Sequence, residues 1–168
     1  MTRFVLPAIL GLAFAFTGCV NKKGGAGSGP GGVDGDYVSG TPLPDRQEGV
    51  SFLGENVDRH KFSPVYFGFD SYDVSGGEQS KVEQVAAFQR ENGNTIILAG
   101  FTDERGTPEY NRGLGERRAL SVREALIRAG ADGHKLQTVS FGAEMAADNG
   151  SSESAYAKNR RTEFGVVR

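Results

Sequence analysis

The chain has no tryptophan, two histidines, two methionines and a single cysteine among its 168 residues. One thiol cannot close an intramolecular disulfide or build a thiolate site of the zinc-finger kind. His60 and His134 stand far apart with no cysteine or carboxylate at ligand spacing, so a metal centre and a supported catalytic histidine are both short of parts. An excess of one charge is missing as well: 19 Lys and Arg face 21 Asp and Glu, for a formal net charge of −2. No electrostatic case for nucleic-acid binding arises from that balance. A spanning helix needs about 20 apolar residues to cross ~30 Å of hydrocarbon. The N-terminal run from Phe4 to Phe16 has only 13, interrupted by Pro7 and Gly11.

That run is informative in another way. Arg3 precedes it and the small residues Thr17 and Gly18 follow it, which predicts an export signal over residues 1–18. The only cysteine falls where the small residues end. Phe16-Thr17-Gly18-Cys19 resembles a lipobox, in which the Cys19 sulfur receives diacylglycerol and cleavage makes it the mature N-terminus. Two acyl chains hold a protein stably on a bilayer where one holds it marginally. A membrane anchor without a spanning helix is therefore expected. Val20 in place of Asp is compatible with outer-membrane sorting, by the rule of the enterobacterial lipoproteins the segment resembles, which implies an outer-membrane anchor with the rest of the chain in the periplasm.

Glycine is what the chain has in abundance. There are 25, about double the usual ~7% share, and nine lie between residues 20 and 49 with Pro30, Pro42 and Pro44 among them. Such a composition buries too little apolar surface to offset its ordering entropy. Residues 19–59 are expected to be the lipidated cysteine and a flexible linker, and residues 60–168 one folded domain. This domain is nearly neutral, with 14 Lys and Arg against 15 Asp and Glu.

Within it, Val65 to Phe69 is β-branched and aromatic and reads as a strand. Ser75 and Glu78 have capping-box spacing, and Val82, Val85, Ala86 and Gln89 follow at helical intervals up to Asn92-Gly93. Thr95 to Phe101 is apolar on both faces, hence a central strand. Thr107-Pro108-Glu109 starts a second helix, with Tyr110, Leu114, Val122, Ala125, Leu126 and Ala129 on its apolar side and Gly130 at its end. Leu136 to Phe141 and Thr162 to Val167 read as strands, with a short helical stretch near Ser154 to Arg160 between them. The expected fold is α+β, a β-α-β-α-β-β mixed four-stranded sheet with helices on one face.

One position breaks the amphipathic pattern. Asn111, Leu114, Arg118 and Val122 are spaced +3, +4, +4, so Arg118 shares a helix face with Leu114 and Val122. An unpaired buried guanidinium costs several kcal/mol, roughly, so Arg118 needs an anion. Asp103, just after the second strand, and Asp70, at the end of the first, are the candidates. Two outcomes stay open: a structural ion pair, or a cleft for a zwitterion, with the guanidinium holding a carboxylate and an aspartate taking an ammonium. Asn159-Arg160-Arg161 suggests structural capping and sheet-edge pairing, or a secondary anionic contact. Glu116 and Arg117 read as solvated helix charges.

Thr102-Asp103-Glu104-Arg105-Gly106-Thr107-Pro108-Glu109-Tyr110-Asn111 resembles the signature of the OmpA-like C-terminal domain family in its peptidoglycan-associated lipoprotein branch. Leu114-Gly115-Glu116-Arg117-Arg118-Ala119 continues the family pattern, with Gly115 in place of a Ser. Val65-Tyr66-Phe67-Gly68-Phe69-Asp70, Val139-Ser140-Phe141-Gly142 and Tyr156-Ala157-Lys158-Asn159-Arg160-Arg161 extend the resemblance over about residues 62–168. It implies non-covalent binding of peptidoglycan through the meso-diaminopimelate side chain of the stem peptide, with no cofactor. Asp103 would face the ammonium and Arg118 a carboxylate. Asp70, Phe67 and Arg105 would line the same cleft, Thr102 and the peptide N–H groups around Gly106 would add donors, and Asn111 belongs to the matching motif. Phe101 stands where many relatives have His. A Tol–Pal role in envelope integrity and in outer-membrane constriction at division is implied too, with a TolB-like periplasmic propeller protein as partner. A wall-binding lipoprotein outside the Tol–Pal system is the alternative. An enzyme acting on peptidoglycan would need a nucleophile with a base, an acid pair or a metal, and the residues supply no such set.

Overall fold

The computed structural model describes residues 50–168. The expected signal peptide, the lipidation site Cys19 and most of the expected linker lie outside the described residues. The elements in chain order are β1 (Val57–Asp58), β2 (Val65–Tyr66), α1 (Gln79–Asn92), β3 (Ile96–Phe101), α2 (Pro108–Arg128), β4 (Leu136–Gly142), α3 (Glu153–Asn159) and β5 (Arg161–Val167). Short 3-10 turns at Gly76–Glu78 and Gly133–Lys135 lead into α1 and β4.

The fold class is the expected one: a mixed sheet with helices over one face. Its order is β1-β5-β3-β4, and β2 also pairs with β5. β3 and β4 run parallel, joined by the α2 crossover, whereas β3 and β5 are antiparallel. All six β3 residues are buried, as its two-faced apolar run demands. Ile96 and Leu98 pack with Val82, Val85 and Ala86 of α1 and Val122 and Leu126 of α2. Ile97, Ala99 and Phe101 face the other way, onto Phe52 and Val57.

The sheet has five strands, not four. β1 lies ahead of residue 60, pairing Val57 with Val167, and Phe52 is 3% exposed. The expected boundary at residue 60 therefore falls inside folded structure, because the second face of the sheet needs an apolar cover and residues 50–57 provide it. The first expected strand is cut to Val65–Tyr66. Past it, the Phe67 N–H donates to the Arg160 carbonyl and the chain turns at Gly68–Ser71, a turn whose carbonyls bind Arg118.

The capping box at Ser75 does not form. Ser75 makes no side-chain cap bond, and Glu78 instead accepts from the Tyr66 N–H and from Lys81 Nζ, so its carboxylate ties α1 to β2. α2 begins as expected: the Thr107 hydroxyl accepts from the Tyr110 N–H, with Pro108 in the first turn. Tyr110, expected on the apolar side, is 44% exposed. α2 lies very close to the sheet. A Cβ at Gly100 would be 1.9 Å from the Gly115 carbonyl oxygen, and one at Gly115 would be 2.3 Å from Ser140 Oγ. Only two glycines permit that approach.

Candidate functional site

The loop after β3, the N-terminal half of α2, the β2–α1 turn and Arg160, which stands between α3 and β5, meet around a cavity of about 200 Å³. Asp70, Thr102, Asp103, Arg105, Gly106, Asn111 and Arg118 all line it, together with Phe69, Tyr110, Leu114 and Arg160. Of the residues expected from sequence, Phe67 alone does not. Its buried ring lies behind the cavity, 5.2 Å from the Arg118 guanidinium, which sits over its face. Arg160 and Tyr110 were missed as lining residues. The signal for Arg160 was its place in Asn159-Arg160-Arg161, and Tyr110 was hidden by its aromatic character on an amphipathic helix.

Arg118 forms the floor and is fully buried. Neither aspartate pairs with it. Instead Nε donates to the Ser71 carbonyl at 2.8 Å, Nη1 to the Phe101 carbonyl at 2.9 Å and Nη2 to the Gly68 carbonyl at 3.2 Å. Carbonyl dipoles thus hold the cation without neutralising it, and three bonds leave two of the five guanidinium N–H donors over. Burial lowers its pKa to about 10, against the opposing field of Asp103, so the group stays cationic at neutral pH.

Asp103 is 5% exposed. Its carboxylate accepts from Arg105 Nη2 at 2.6 Å, from the Arg105 backbone N–H at 3.2 Å and from Arg160 Nη1 at 3.3 Å. Burial pushes its pKa up, but the bonds from Arg105 and Arg160 outweigh that and hold it below the ordinary value. Asp70 has a φ of 50°, a conformation uncommon outside glycine and found disproportionately at functional sites. Its carboxylate accepts the Tyr110 hydroxyl, and that bond is the main cause holding the phenol above its usual pKa. Gly106, at φ 105°, turns the chain into α2 beside Asn111, which is 3% exposed.

The Thr102 hydroxyl is buried with no hydrogen-bond partner. An orphaned buried hydroxyl costs about 1–3 kcal/mol, and Thr102 is one of the residues lining the cavity. Cation at the floor, carboxylates at the wall and an unpaired hydroxyl between them suit a small zwitterion.

Asn159, Arg160 and Arg161 divide their work. The Asn159 amide accepts from the Ala147 and Asp148 N–H groups, pinning the β4–α3 loop. Arg161 pairs with Glu163 and covers the Phe101 ring from 4.0 Å. Glu116, expected to be solvated, accepts from Thr138 Oγ1 at 2.7 Å, while Arg117 is exposed. Among the described residues no group of three or more potential ligands could hold a metal ion, and no helix is long and apolar enough to cross a membrane.

The family model for the OmpA family matches residues 66–160. A peptidoglycan-associated lipoprotein of Pasteurella multocida is 41% identical over 125 residues, covering 73% of this chain and 83% of that protein. One from Pseudomonas putida is 35% identical over 167 residues and covers 98% of both. Among solved structures, the peptidoglycan-associated lipoprotein from Burkholderia pseudomallei superposes with a TM-score of 0.60 at 36% identity, covering 70% of this chain and 98% of that one.

Proposed function

The chain belongs to the OmpA family, in its peptidoglycan-associated lipoprotein branch, and from that premise we propose that it is an outer-membrane lipoprotein that clamps the cell wall. Lipidated Cys19 holds the membrane end. The cavity takes the meso-diaminopimelate side chain of a peptidoglycan stem peptide without covalent change. Arg118 receives the side-chain carboxylate through its spare N–H donors, Asp103 and Asp70 face the ammonium, and Thr102, Asn111 and the peptide groups around Gly106 add polar contacts.

The observation that carries this reading is the bonding of Arg118: a buried guanidinium held by three carbonyls and by no carboxylate, beside a cavity. A purely structural arginine at this depth is expected to have an ion-pair partner. An anion from outside completes this one. We read the site as one that binds without covalent chemistry, in keeping with relatives that are peptidoglycan-associated lipoproteins. The family branch supports a place in the Tol–Pal system, with a TolB-like propeller protein competing for the same face.

The detergent-solubilised full chain should co-sediment with isolated diaminopimelate-type sacculi and release no muropeptides. Asp103→Ala and Arg118→Ala should each reduce sedimentation at least tenfold, with Asp103→Ala retaining the native circular dichroism spectrum. Undiminished sedimentation of both variants would reject the cleft, and released muropeptides would reject the binding-only role. A TolB-like protein added as competitor should lower the bound fraction if the Tol–Pal assignment holds.

A further inference from the structure

Asp103, the carboxylate offered to a ligand ammonium, is already saturated by cations of the chain itself. Oδ2 accepts from Arg105 Nη2 at 2.6 Å and from Arg160 Nη1 at 3.3 Å, while Oδ1 accepts from the Arg105 Nε and backbone N–H. An incoming ammonium therefore has to replace one of the two guanidinium groups.

These two groups are unlike. The Arg160 side chain is 7% exposed and is fastened by the Phe67 carbonyl at 3.1 Å and by Glu153 at 2.9 Å. The Arg105 side chain is 36% exposed. Its guanidinium lies between the rings of Phe69 and Tyr156, 4.2 and 4.5 Å from their centroids. Its Nη1 is already 3.4 Å from the exposed carboxylate of Glu153. Leaving Asp103, Arg105 would keep two ring faces and its existing contact with Glu153, whereas Arg160 would abandon a buried carbonyl. The backbone N–H of Arg105 stays on Asp103 throughout, so the carboxylate keeps its orientation.

We propose that Arg105 is a resident counter-ion: it occupies the ammonium seat on Asp103 in the free protein and gives that seat up, keeping its contact with Glu153, when a ligand brings its own cation. The inference rests on the wall-binding reading above and names the residue that sets its specificity. A carboxylate ligand without an ammonium leaves Arg105 in place and gains only the floor cation. A zwitterion displaces Arg105 and engages both walls, so the site selects for a cation and an anion on one short side chain.

The test compares two peptides on the full chain in detergent by titration calorimetry: a muropeptide ending in meso-diaminopimelate, and the same peptide with its free ammonium acetylated. Arg105→Ala should bind the ammonium peptide about three- to tenfold more tightly than the wild type, since a competing half-exposed ion pair is gone. It should gain nothing for the acetylated peptide, and Arg105→Gln should repeat the result. Weaker or unchanged binding of the ammonium peptide by both variants, or an equal gain for both peptides, overturns the inference. A wild-type chain that binds neither peptide refutes the site reading itself. A wild type that prefers the ammonium peptide while both variants gain nothing leaves that reading standing and sinks only the role of Arg105.

Discussion

Thr102 holds a hydroxyl for which the fold supplies no partner, and Arg118 holds a charge bonded to three carbonyls and to no carboxylate. Each is a local loss that the proposed ligand would recover. Thr102→Val removes the unpaired hydroxyl at nearly constant shape, so the protein should unfold at the same or a higher temperature by calorimetry. Its sedimentation with sacculi should nonetheless fall severalfold, because a lost hydrogen bond to ligand costs about 0.5–1.5 kcal/mol. A variant that loses stability and keeps its affinity would place the hydroxyl in the fold instead. At this scale the sequence was informative about which residues matter and silent about their pairing. Helical spacing put Arg118 on a buried face, and it is fully buried. That its partners are the carbonyls of Gly68, Ser71 and Phe101 depends on a turn that leaves the sheet early, which no spacing rule encodes. Arg105 is similar: its contact with Asp103 is two residues away in sequence, yet its alternative partner Glu153 comes from α3.

α2 sets the geometry of the cavity, because it delivers Asn111, Leu114 and Arg118 from successive turns while Gly115 rests on Gly100 of β3. Gly115→Ala would drive a methyl into Ser140 Oγ and push the helix from the sheet. Overpacking of this kind costs about 1–3 kcal/mol, so the thermal midpoint should drop, and sacculus binding should weaken although no ligand contact has changed. An unaltered midpoint would mean that the helix shifts freely and does not position the site. The long periodic elements were legible from sequence: α1, α2, β3, β4 and β5 each carry enough apolar repeats to declare their period. β1 was not, since a two-residue strand has no alternation to read, and β2 was read too long, as Val65 to Phe69 where the strand is Val65–Tyr66. The Ser75–Glu78 spacing failed for a tertiary reason, as Glu78 finds the Tyr66 N–H and Lys81 instead of the helix start.

Over the whole chain, a membrane anchor and a wall-binding fold are proposed at opposite ends of a glycine-rich stretch. The described residues add that residues 50–57 belong to the folded part, where Phe52 covers the stacked rings of Phe101 and Phe141, 5.3 Å apart. The glycine-rich flank masked this cover in the sequence, because one phenylalanine near Leu53 and Gly54 makes no periodic signal. Near-neutral charge means that binding is carried by local complementarity and not by a field over the surface, so one missing carboxylate on the ligand should be felt. The central claim is that Arg118 awaits an anion from outside the chain. It is tested most directly by sedimenting the full chain with diaminopimelate-type and lysine-type walls side by side, because lysine has the ammonium and lacks the carboxylate. Binding to the lysine-type wall should be weaker by about 1–3 kcal/mol, roughly a 5- to 150-fold loss. Equal affinity for the two walls would contradict it.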